Sequence, residues 1–164
     1  MKILTEAIKG LCFFAAFLAI CSYSIARPYE KISAVTKDTI TKKGIALMGR
    51  QEVPPVTQSG YGTLDVAYDS ASKTLKYVAN WYGLSDEATM MHFHGPADTG
   101  KNASVIFPIT DFPHSATGTV TGTVKLDEVK LKETELLGGK WYFNIHTKKY
   151  PAGEIRGQVI FSTQ

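Results

Sequence analysis

The sequence predicts an all-β fold, an antiparallel Greek-key sandwich or barrel of about seven or eight strands. Three observations carry this. From Lys43 onward, apolar and polar residues alternate in short runs, the period of a strand with one buried face. Turn-forming clusters separate those runs about every ten residues. One stretch alone, DEVKLKETELLGGK, breaks the alternation, and it is short.

Taken in order, residues 27–42, RPYEKISAVTKDTITK, are polar and weakly patterned, and read as a leader segment that ends in a short edge strand. The domain proper is expected over 43–163. GIALMGR is a short apolar run. QEVPPVTQSG follows as a loop or edge, because Pro54 and Pro55 have no N–H to give a ladder. YGTLDVAYD sets Leu64, Val66 and Tyr68 on one face against Thr63, Asp65 and Ala67 on the other. After the turn SASK, TLKYVANWYGL alternates again, Leu75, Tyr77 and Ala79 against Lys76, Val78 and Asn80. ATMMHFH is a strand, GPADTGKNA a loop, SVIFPI a short strand and TGTVTGTVKL a long run of Thr and Val. DEVKLKETELLGGK is a short helix or a long loop, closed by Gly138-Gly139. WYFNIHT and EIRGQVIFS end the chain as two strands joined by KKYPAG.

The first 26 residues read as a signal peptide. Lys2 and Lys9 precede an apolar core, Leu11 to Ile20, too short to span a membrane, and Ser24 and Ala26 are the small residues of a cleavage site after Ala26. A lipoprotein anchor at Cys21 is the competing reading, but Ile20 is larger than such a site wants. Cleavage implies a periplasmic or secreted protein with no stable membrane span. It also removes both cysteines, Cys12 and Cys21, leaving no disulfide and no thiolate metal site. The core alone must then hold the domain. The charge of +3 over 164 residues falls to +2 with the loss of Lys2, Lys9 and Glu6. It is scattered, with no basic stripe interleaved with aromatics, so nucleic acid is not expected as a partner. Asn102-Ala103-Ser104 matches a glycosylation acceptor.

The chain has four histidines, and two of them, His92 and His94, stand one residue apart in MMHFHGPADTG. Side chains alternate across a strand. In TMMHFHG, WYFNIHT and GEIRGQVIF the odd positions are Met91, Phe93, Trp141, Phe143, Ile145 and further apolar residues. That face should be core. Met90, His92, His94, Asn144 and His146 then share the opposite face. If KKYPA is the hairpin loop of the last two strands, His146 lies opposite Glu154, Asn144 opposite Arg156 and Tyr142 opposite Gln158, about 5 Å apart at Cβ. Neutral imidazoles suit copper or zinc, and the Met90 thioether would bias the site toward reduced copper. On this reading His92, His94 and His146 are the ligands. Met90, Glu154, Asn144 and Arg156 are auxiliary, Glu154 orienting His146. The competing reading is structural: the histidines bond backbone or loop groups, and Glu154 and Arg156 form an ordinary cross-strand ion pair with Asn144. His114, after Pro113, reads as a solvated loop residue, with a fourth ligand as its alternative.

QEVPPV, MHFHGPADTG, ASVIFPI and LGGKWYFNIHTKKYPAGEIRGQV occur in the order in which they occur in the CHRD domain family, and the chain resembles that family over roughly 44–162. The resemblance implies a single-domain, exported, bacterial-type member with a β-sandwich fold akin to the superoxide-dismutase and immunoglobulin-like sandwiches. It implies no chemistry. GKNASVIFP departs from the pattern, since many members carry a second Gly-Pro before the apolar run. His92, His94 and His146 also look like the copper ligands of copper-zinc superoxide dismutase. The bridging histidine, the zinc cluster and the disulfide of that enzyme have no counterparts here, so a single metal or an empty site is expected rather than full dismutase activity.

The functional expectation is an exported binding module, not an enzyme, with one transition metal, copper before zinc. Its alternative is a metal-free interaction module that meets an unknown protein or surface partner through exposed Tyr61, Trp81, Tyr82 and Tyr150. Copper-dependent redox catalysis is the third reading. No catalytic residue is assigned: Ser59, Ser104 and Ser115 lie in no nucleophile elbow, and G-x-S-x-G is absent.

Overall fold

The computed structural model describes residues 38–57 and 60–161. The leader and signal assignments, up to residue 37, lie outside the described residues, as does Ser59. Eight strands are present among the described residues: β1 (Thr39–Met48), β2 (Tyr61–Asp69), β3 (Thr74–Tyr82), β4 (Ala88–His94), β5 (Val105–Ile109), β6 (Gly118–Lys125), β7 (Trp141–Thr147) and β8 (Ile155–Val159). One short helix, α1 (Glu133–Leu137), lies between β6 and β7, and a single 3-10 turn, Gly49–Gln51, follows β1.

All eight strands join in one sheet with the order β5-β4-β7-β8-β1-β2-β3-β6. Its ladders are antiparallel. β1, β2 and β3 form a meander, while the chain leaves β3 to build the far end of the sheet before returning with β6 beside β3. That return is the Greek-key element. The sheet curls so that its two ends face each other: Tyr77 of β3 meets Phe93 of β4 edge-on at 5.3 Å between centroids. Trp81 Nε1 and Ala88 N both donate to Ser115 O, at 2.9 and 3.2 Å, and close the gap beside them.

The alternation places the core. The odd face of β4, β7 and β8 is buried, with Met91, Phe93, Trp141, Phe143, Ile145 and Ile155 fully so. Each such side chain contributes about 1.5–3 kcal/mol relative to exposure, so a domain of this size needs no disulfide to offset its ordering entropy. The same parity on β3 buries Trp81 beside Leu75, Tyr77 and Ala79. Trp81 is therefore a core residue and not an exposed anchor. Tyr61 and Tyr82 are exposed, and Tyr150 is half-buried.

One expectation is corrected. β1 begins at Thr39, inside the stretch read as leader, and it is no edge strand, since β8 and β2 flank it in the sheet. Its register shifts between Lys42 and Ile45, where Gly44 adopts φ +67° and donates its N–H to Asp65 Oδ1 at 2.7 Å. A bulge with a left-handed residue is a position that glycine fills without strain. The polar face of β7 and β8 is buried as well. Three loops cover it, 49–57, 96–104 and 149–153. Arg156 donates to Lys101 O and Asn102 Oδ1, Gln158 to Ala97 O, and Asn102 Nδ2 to Val53 O. Asn102 thus ties its own loop to the 49–57 loop through Nδ2 and to β8 through Oδ1. α1 ends as its glycines predict, with Gly139 at φ +68°.

Candidate metal centre

β4 and β7 are neighbours, and their register sets His92 opposite Asn144, His94 opposite Tyr142 and Met90 opposite His146. The two histidine-bearing strands are thus brought together, and the three imidazoles share the face that the alternation assigned them. One ligand atom from each of His92, His94 and His146 lies within 4.8 Å of the others. His92 Nδ1 is 3.0 Å from His146 Nε2. Nitrogens bound to one ion at about 2.0–2.1 Å stand about 3.3–3.6 Å apart. The His92–His146 pair already lies within that reach, and the set as a whole lies within 4.8 Å.

Backbone carbonyls fix which nitrogens point inward. His94 Nδ1 donates to Ala103 O at 3.0 Å, and His146 Nδ1 donates to Pro151 O at 3.0 Å. In the neutral rings Nε2 then carries the lone pair. His94 Nε2 is buried and has no hydrogen-bond partner, and His146 Nε2 faces the amide oxygen of Asn144 at 3.0 Å. Lone pairs and an amide oxygen therefore converge with one shared N–H, from His92, between them. Such a set lacks positive charge, and a cation supplies it. The carbonyl that orients His94 is itself held, since Tyr142 Oη donates to Ala103 O at 3.3 Å. The Tyr142 ring lies parallel to His94, 4.7 Å between centroids and 3° between planes.

All three rings are held neutral. Burial pushes His92 down to about 4, helped by the charges of His146 and His94. Burial also lowers His94 and His146, against the hydrogen bonds to Ala103 and Pro151 that favour their charged forms. Neutral imidazole is the form that binds a metal.

The auxiliary residues divide. Asn144 adjoins the cluster. Arg156 is 1% exposed and stacks over Tyr142 with Cζ 3.4 Å from the ring centroid, one strand removed from the histidines. The predicted register of Asn144 with Arg156 and Tyr142 with Gln158 holds. Glu154, however, does not reach His146. It lies just before β8, where Gly153 adopts φ +131° and Glu154 N bonds Ile145 O. Its carboxylate instead accepts from Gly60 N, Ser85 N, Ser85 Oγ and Thr147 Oγ1, the last three at 2.7 Å. The cross-strand pair of Glu154 and Arg156 with Asn144 is likewise not formed: among the described residues, no hydrogen bond of either side chain goes to Asn144. Met90 is 42% exposed, across from His146. His114 is exposed, bonds Ala88 O through Nδ1 at 2.9 Å and stands outside the cluster.

Sequence reasoning missed Glu52. It is 5% exposed, its carboxyl lies beside the Asn144 amide nitrogen over Gly153, and its Oε1 has no partner. Burial raises its pKa from 4.5 to about 7, against the opposing pull of Arg156 and Asn144. The available signal was its place as the lone acid of QEVPPV, between a polar turn and two prolines. Gly153 makes room for it: a Cβ there would overlap both Glu52 Oε1 and Asn144 Nδ2. Alanine at Gly153 should cost about 2 kcal/mol or more, combining a left-sided φ with that overlap. Urea unfolding would check this, and a cost below about 0.5 kcal/mol would contradict it.

A family model described as the CHRD domain matches residues 44–159, from the bulge in β1 to the end of β8. No curated protein and no solved structure matches the chain. The matched span takes in β1 from Gly44 onward, the whole of β2 to β8, the three histidines and Glu52; the chain belongs to the CHRD domain family.

Proposed function

We propose that this CHRD domain is a binding module that holds a single transition-metal ion at His92, His94 and His146, with copper favoured over zinc. The convergence of three neutral imidazoles within 4.8 Å carries the reading. The buried, partnerless Nε2 of His94 is its strongest single point. Copper is favoured because Cu²⁺ exceeds Zn²⁺ in affinity for nitrogen sites and because the Met90 thioether shares the face. The role is binding and not catalysis, and the apolar core of residues 11–20 supports an exported setting, periplasmic or secreted.

The test is metal uptake by the purified protein, titrated with Cu⁺, Cu²⁺ and Zn²⁺ against chelators, beside a His92→Ala/His94→Ala variant. One equivalent of copper per chain is expected for the parent. The variant should lose more than about a hundredfold in affinity, since even the outer partners of metal ligands are worth 10–100-fold. No metal in either protein would sink the reading. Unchanged stability of the variant would then favour a second one, a metal-free interaction module. Its support is the exposed pair Tyr61 and Tyr82, stacked at 5.3 Å between centroids, which offers rigid aromatic area to a partner. A metal-free but destabilised variant would make the histidines structural.

A further inference from the structure

Three neutral imidazoles bring no negative charge to an incoming cation. The space around them already holds a buried guanidinium, Arg156, whose hydrogen bonds all go to neutral oxygens: Lys101 O, Asn102 Oδ1 and Gln158 Oε1. None of the salt bridges among the described residues includes Arg156 or Glu52. An added ion would raise the buried positive charge further, and uncompensated buried charge is costly. Two carboxylic acids are buried among the described residues, Glu52 and Glu154. Glu154 is committed to Gly60, Ser85 and Thr147 and turned away from the histidines. Glu52 is not committed. Its Oε1 has no partner, and one residue, Asn144, lies between it and the cluster: a Cβ on Gly153 would meet both Glu52 Oε1 and Asn144 Nδ2, while the Asn144 amide oxygen stands 3.0 Å from His146 Nε2.

We propose that Glu52 is the charge-balancing residue of the histidine site and biases it toward divalent over monovalent ions. Glu52 does not touch the ion. It acts across Asn144, through the field of its carboxylate. The inference rests on the metal reading of the cluster and adds to it a preference between oxidation states. A field effect scales with the ion's charge. If neutralising Glu52 weakens a divalent ion about tenfold, it weakens a monovalent one about threefold by the same law.

The test compares Cu²⁺, Zn²⁺ and Cu⁺ affinities of the parent, Glu52→Gln and Glu52→Asp proteins by chelator competition. Glu52→Gln keeps shape and removes charge. It should weaken Cu²⁺ and Zn²⁺ by about tenfold and Cu⁺ by about threefold, which raises the copper reduction potential by about 30 mV. Glu52→Asp retains the charge and should recover most of the divalent preference, even if shortening the side chain lowers every affinity. Equal losses for Cu²⁺ and Cu⁺ in Glu52→Gln would show a merely structural residue and overturn the inference while leaving the histidine site intact. Absence of metal from the parent would overturn both.

Discussion

Alanine at Glu154 should lower the unfolding free energy by about 3–5 kcal/mol and the melting midpoint by about 10–20 °C. The side chain is fully buried and its two oxygens accept four hydrogen bonds. Truncation strands Gly60 N, Ser85 N and two hydroxyls at once, and each unsatisfied buried donor costs about 1–3 kcal/mol. The donors come from three places in the chain: Gly60 just before β2, the β3–β4 connection and β7. Glu154 therefore pins two loops onto the β7–β8 hairpin. Glutamine should cost less, since the Ser85 and Thr147 hydroxyls can turn to accept from its amide. Metal affinity should be unchanged in Glu154→Gln, because the carboxyl faces away from the histidines. A loss under about 1 kcal/mol for alanine would overturn the clamp. A selective loss of metal in Glu154→Gln would restore the orienting role that strand pairing alone suggests.

That contrast shows where sequence reasoning works on this chain. Alternation with a period of two fixes which side chains share a face, and it separates Met91 and Phe93 from His92 and His94 without any knowledge of neighbours. Hairpin arithmetic fixes Asn144 against Arg156, since a short loop leaves one register compatible with an apolar odd face. The parity argument would have buried Trp81 too, had it been carried one residue past Asn80. It fails at Glu154 because parity holds only within regular backbone. Gly153 at φ +131° turns the chain just before β8, and a carboxylate counted onto the histidine face arrives on the other.

Neighbouring of β4 and β7 could not be read from sequence, since it follows from a Greek-key crossing and not from a local turn. Burial of the second face was hidden for a related reason. Polar residues such as Asn144, Arg156 and Gln158 look like a solvated face until loops from distant parts of the chain are laid over them. Those loops bond them through backbone carbonyls, whose positions have no sequence signature. Glu52 was lost by the same route. Nothing within QEVPPV says that its acid turns inward, because the groups that receive it, Asn144 and the bare backbone of Gly153, lie about a hundred residues further on.

Glu52 should leave its mark on the pH dependence of stability in the metal-free protein. Its pKa is about 7 in the folded state against 4.5 in the unfolded. Between these values the unfolded chain gives up a proton that the folded one retains, so this residue's stabilisation is fully present below pH 4.5 and lost as pH rises through about 7. His92 works in the opposite sense. Its folded value of about 4 lies below the ordinary 6.5, so the protein loses stability as pH falls from 6.5 toward 4. The two slopes oppose each other between pH 4.5 and 6.5 and flatten the parent's profile there. Glu52→Gln removes one of them. The stability of Glu52→Gln relative to the parent should therefore climb from pH 4.5 to about 7 and then level off, gaining about 3 kcal/mol in all. Urea unfolding of both proteins at half-unit intervals would measure it, and a flat difference would show that the Glu52 carboxyl is already ionised at acid pH. Saturating Zn²⁺ should erase the advantage at neutral pH, because an ionised Glu52 then faces a cation instead of an empty cost. A carboxyl that destabilises the metal-free fold and steadies the loaded one ties folding to binding through a residue that touches no metal.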